Sequence, residues 1–160
     1  MRRFVGLWGV VTLLVLLHLL LHVGFGLERG APDLLTVALL LAAREVGPGT
    51  AGGLGFLFGL LEDAFSVLAF GANAVAMTVV GIVGAFTRDF FVGESWLFHL
   101  MYLVLGKWLR DALFWVMAGE QVRGPAVRSL LVEAPVAALY AATIGIALLL
   151  LSEVWRGGRA

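Results

Sequence analysis

The chain of 160 residues contains no cysteine, so no disulfide framework and no thiolate metal site is available to it. Charge is scarce as well. Only 14% of residues are charged, against about a quarter in an ordinary soluble domain, and the eleven basic and eleven acidic side chains cancel. A basic face for nucleic acid is therefore excluded, and no nucleic-acid partner is expected. Lysine is almost missing, Lys107 being the single one, and there are four prolines. Polar chain is scarce too: six spanning helices of roughly 20 residues use ~120 and leave ~40 for loops and tails. That remainder is too little for a separate soluble domain.

What is present in quantity is apolar: 61% of the residues. The pattern predicts an all-α integral membrane protein, one transmembrane domain over 1–160, with spans at about 4–27, 31–46, 51–70, 73–87, 96–118 and 130–151. A five-span arrangement, with the second and third segments forming one broken re-entrant unit, is the competing count. The first apolar run follows Met1-Arg2-Arg3 as a signal peptide does, but it is longer than a signal core and no A-x-A-like site follows it. It reads as a retained first helix. With six spans and an inside N-terminus, Arg2, Arg3, Arg44, Arg88, Arg156 and Arg159 lie inside, and Arg29, Arg123 and Arg128 outside. The positive-inside rule then places both termini in the cytoplasm. Trp96, Trp115 and Trp155 fall near helix ends, where indole rings favour the headgroup region.

Several patterns invite chemistry. Gly47-Pro48-Gly49-Thr50-Ala51-Gly52 spells G-x-G-x-x-G, but it follows an apolar helical run rather than a strand, so it reads as a turn with no nucleotide site. His18 and His22 are four apart on one helical face; a metal needs a third ligand, and none is evident from spacing. No Ser–His–Asp, Cys–His or H-E-x-x-H arrangement occurs, so no catalysis, no cofactor and no metal is expected. Gly52, Gly55 and Gly59 share one face that continues to Asp63 and Ser66. Such a face packs a helix of the same chain or docks a partner's helix. Charges inside spans are costly, at about 2.5 to 3.5 kcal/mol for Asp, Lys or Arg at a helix centre. Glu62, Asp63, Lys107, Arg110, Asp111 and Glu133 are therefore expected to gather as an intramembrane polar cluster, either a structural network or an ion or solute path.

One ordered set of motifs is more specific. Pro32-Asp33 starts the second segment, Gly55-Phe56-Leu57-Phe58-Gly59-Leu60-Leu61-Glu62-Asp63 runs through the third, and Gly71-Ala72-Asn73-Ala74 opens the fourth. This order resembles the rod shape-determining MreD family, over Ala31 to about Arg88. The resemblance implies a small multi-pass protein of the bacterial cytoplasmic (inner) membrane, with an S-component-like fold such as energy-coupling-factor transporters use. It implies a non-catalytic scaffold of the elongasome that binds MreC, works beside MreB, RodA and its transpeptidase, and helps to control peptidoglycan synthesis and cell shape. Self-association and contact with membrane lipid are compatible with it. Gly52 together with Gly55, Phe56, Gly59, Asp63, Gly71 and Asn73 would then shape the bundle and its partner surface. The alternative implied by the same fold is a small-solute-binding subunit of a vitamin or metabolite transporter. Lys107, Arg110, Asp111 and Glu133 lie beyond the resemblance and inherit no role from it.

Overall fold

The computed structural model describes residues 2–25, 31–65, 69–87 and 96–157, and among them it is helical throughout, with no strand. Six helices follow in order. Helix α1 is Arg2–Leu19, continued by a π-helical turn at Leu20–Gly24; α2 is Leu34–Ala43, α3 is Pro48–Asp63, α4 is Ala72–Thr87 and α5 is Trp96–Met117. Helix α6 begins as Ala126–Arg128, passes through a π-helical turn at Ser129–Glu133 and continues as Ala134–Gly157. Pro135 explains that turn: it has no N–H to donate, and the ladder adjusts just before it, with Ala134 N–H reaching back to the Ser129 carbonyl.

Helix α2 is the centre of the bundle. All ten of its residues are buried, as expected of a helix apolar on every side. At about 15 Å it is too short to cross a bilayer alone, which needs roughly 20 residues. Its neighbours close in through glycine. A Cβ on Gly106 of α5 would meet Leu40 at 2.6 Å, and one on Gly145 of α6 would meet Val37 at 2.6 Å. Tyr102 of α5 seals the same region: its buried hydroxyl donates to the Leu40 carbonyl (3.0 Å), with the Gly84 carbonyl of α4 at 3.2 Å.

Helices α3 and α4 pack antiparallel at backbone contact. A Cβ on Gly55 would lie 2.2 Å from the Met77 carbonyl oxygen, and one on Gly59 2.4 Å from Ala74 Cα. From the other side, a Cβ on Gly81 would lie 2.3 Å from the Ala51 carbonyl oxygen. The glycine face thus packs a helix of the same chain, and no room remains on it for a partner's helix.

Boundaries shift in several places: the second segment is helical over Leu34–Ala43 rather than 31–46, and the last helix runs on to Gly157. The third segment is helical from Pro48 to Asp63 rather than over 51–70, because Pro48 is suited to a first turn and Asp63 turns away to cap α4. The sixth starts at Ala126 rather than 130, directly after Pro125. Segments two and three are separate helices joined by a turn at Arg44–Val46. Among the described residues, Ala126–Leu150 is the one helix long and apolar enough to cross a membrane by itself; Leu7–His22 and Ala72–Thr87 are shorter apolar helices. Ser66, Arg29, Arg88 and Arg159 lie outside the described residues, as do the side chains of Arg2, Arg3, Trp155 and Arg156.

Candidate functional site: a buried charge cluster beneath a cleft

Helix α5 presents Lys107, Arg110 and Asp111 on one stripe, spaced by three and four residues as one face requires. Lys107 is buried and ion-pairs with Asp111 one turn on, while Arg110 Nη1 reaches the same carboxylate at 3.1 Å. Helix α3 contributes Glu62, which accepts a charge-assisted hydrogen bond from Arg110. Arg110 Nη2 also donates to Asn73 Oδ1 of α4 at 2.6 Å. Its guanidinium, at 5.3 Å over the Phe114 ring, gains a further favourable contact.

The fifth charge is Asp33, the N-cap of α2. Its carboxylate accepts from Thr36 N at 3.0 Å and from Thr36 Oγ1 at 2.7 Å, so it satisfies an orphan donor and opposes the positive helix end. Lys107 Nζ stands 3.3 Å from Asp33 Oδ2, and Arg110 Nε 3.8 Å. Asp33, Glu62, Lys107, Arg110 and Asp111 thus join α2, α3 and α5. Removing one member leaves a partner charged and unpaired, whereas the intact cluster is internally matched to within one charge.

The cluster lies under a cleft of about 1340 Å³ between α1, α3 and α6. His18 and His22 line it from α1, and Glu133 and Tyr140 from α6. Lys107 and Arg110 face it and also line a smaller cavity of about 340 Å³ against α6, so they stand as a partition between two spaces. His22 sits in the α1 π-turn and Glu133 in that of α6, so both irregular helical turns meet at the cleft. Single π-turns of this kind are frequent at functional sites.

Two of the six expected cluster members stand elsewhere. Asp63 is fully buried but faces α4, where its two oxygens accept from Asn73 N (3.1 Å) and Ala74 N (2.9 Å). It caps a helix that begins after Gly71, a residue with no side chain to do so, at φ +91° in the left-handed region glycine favours. Glu62 and Asp63 are about 100° apart around the helix, so consecutive acids serve different neighbours. Glu133 is exposed and pairs with Arg128 at 2.8 Å. The π-turn at Ser129–Glu133 holds it at the cleft mouth instead of inside the bundle.

Of the other expected positions, Gly52 is buried against Ile82, and Gly55 and Gly59 against α4. Asn73 links the Asp63 cap to Arg110. Phe56 lies beside the glycine face of α3 and is 48% exposed. Sequence reasoning missed Asp33 and His18 as cluster members. The Pro32-Asp33 start of α2 was a usable signal for Asp33, since an acid at a helix N-cap inside an apolar bundle demands a cation nearby. Spacing along α1 gave no comparable sign for His18, because its acidic neighbours come from other helices.

The chain matches no family model, no curated protein and no solved structure.

Proposed function

We propose that this chain is a non-catalytic scaffold of the bacterial cell-elongation machinery, a multi-pass protein of the cytoplasmic membrane with both termini inside. On this reading it binds an MreC-like single-span protein and through it tunes peptidoglycan synthesis. The observation that carries the reading is how the residues of the MreD resemblance fit together. Gly55 and Gly59 bring α3 onto α4, Gly71 makes the turn, and Asp63 caps the Asn73-Ala74 helix start. They form one structural unit, which explains why those residue types follow one another in that order. The outward surface supports it further: Leu13, Leu16, Phe56, Leu57, Met101 and Leu105 are large, apolar and exposed, as lipid or a partner's helix requires. Because α4 fills the glycine face, partner docking falls to these outward faces.

A second reading, a solute-binding transport subunit, is favoured by the cleft and the charges beneath it. Affinity purification from membranes of a rod-shaped bacterium tests both. The scaffold reading expects stoichiometric recovery of a single-span protein with an extracytoplasmic coiled coil, and loss of rod shape on depletion. Recovery of an ATPase module instead, with a small molecule that stabilises the purified chain, would overturn it in favour of transport.

A further inference from the structure

The geometry points to a divalent transition-metal site at the floor of the cleft, built from His18 of α1, Asp33 at the start of α2 and Glu62 of α3. One ligand atom from each lies within 4.8 Å of the other two. The three come from three helices, so no sequence spacing announces them.

The hydrogen bonds around these groups show why a cation suits them. Arg110 occupies Glu62 Oε2, and Glu62 Oε1 faces His18 Nε2 at 3.9 Å. That separation is too long for a hydrogen bond. His18 is 5% exposed and its Nδ1 has no hydrogen-bond partner. An unpaired buried ring nitrogen is unusual, since buried polar groups are normally paired. Asp33 Oδ1 accepts one bond, from Thr36 N, and keeps a second lone pair. The three groups therefore bring ligand atoms together beside Lys107 and Arg110, which already balance part of the carboxylate charge.

Charge points the same way. Three carboxylates (Asp33, Glu62 and Asp111) meet two cations (Lys107 and Arg110), one acidic group more than basic. Such a site attracts cations and repels anions. One nitrogen and two carboxylate oxygens suit Zn²⁺ or Mn²⁺ better than the all-oxygen shells preferred by Mg²⁺ and Ca²⁺. Tetrahedral ligands about 2.1 Å from a metal stand about 3.4 Å apart, so side-chain rotation drawing each inward by roughly 1 Å completes the site. The cleft leaves the remaining coordination positions to water or to a ligand. This inference does not rest on the scaffold reading.

The test uses the full chain in detergent, stripped with EDTA and titrated with Zn²⁺, Mn²⁺ or Mg²⁺ by calorimetry and by thermal unfolding. One saturable site is expected for Zn²⁺ or Mn²⁺, with Mg²⁺ at least tenfold weaker. His18→Leu is expected to weaken binding at least tenfold, with the metal-free unfolding transition recorded alongside to show that the chain still folds. Glu62→Gln should weaken it too, and His99→Leu, remote from the cleft, should not. Absence of saturable binding overturns the inference. So does a His18→Leu chain that binds within twofold of the parent, or loss of binding in His99→Leu.

Discussion

Asp63 and Arg110 hold the bundle in different ways. Asp63 accepts from two backbone N–H groups at the start of α4, so its removal takes this acceptor from both in a buried site. Loss of a helix cap costs about 1 to 2 kcal/mol, and each buried unsatisfied donor adds about 1 to 3 kcal/mol. Asp63→Ala is therefore expected to lower stability by roughly 3 kcal/mol, measured by reversible denaturation in detergent micelles, with Asp63→Asn intermediate because one acceptor oxygen survives. Arg110 acts through charge. Breaking a buried pair costs about 3 to 5 kcal/mol because the remaining charge is stranded. Arg110→Gln should cost that much, and Glu62→Gln in the same chain should return part of it. A double-mutant cycle reads the coupling, and independent, additive losses would show that the two do not act as a pair.

At the scale of elements, the α3–α4 hairpin separates two glycines two residues apart. Gly53 has nothing within 4 Å of an added Cβ, whereas Gly55 faces the Met77 backbone at 2.2 Å. Gly53→Leu is expected to leave folding and stability within about 0.5 kcal/mol of the parent. Gly55→Leu should cost 3 kcal/mol or more, since a backbone neighbour cannot rotate away as a side chain does. Equal yields and melting temperatures for the two variants would contradict the close packing. The glycine spacing of three and four made this face legible in the sequence, whereas the second segment read as a span over 31–46 and its burial on all sides emerged only from the packing. The charge cluster was legible in part. The α5 stripe announced Lys107, Arg110 and Asp111 by periodicity alone. Glu133 misled because its register depends on a π-turn that Pro135 sets off, and Asp33 was overlooked because a helix cap explains it locally. Groups that meet only through tertiary packing leave no spacing to read.

At the scale of the whole molecule, the described residues form an apolar bundle around a short central helix, with five charges gathered under one cleft and bulky side chains facing outward. Leu13, Leu16, Phe56, Leu57, Met101 and Leu105 are exposed, and on the proposed reading lipid or a partner's helix covers them. The central claim is a multi-pass membrane bundle with both termini in the cytoplasm, and the absence of cysteine makes it directly testable. Gly47, between α2 and α3, and Gly119, between α5 and α6, are both exposed and accept a single cysteine without a clash. In spheroplasts treated with a membrane-impermeant maleimide, Gly119→Cys is expected to react and Gly47→Cys to be protected until the membrane is permeabilised. Labelling of both before permeabilisation, protection of Gly119→Cys, or recovery of the chain in the soluble fraction would contradict the account.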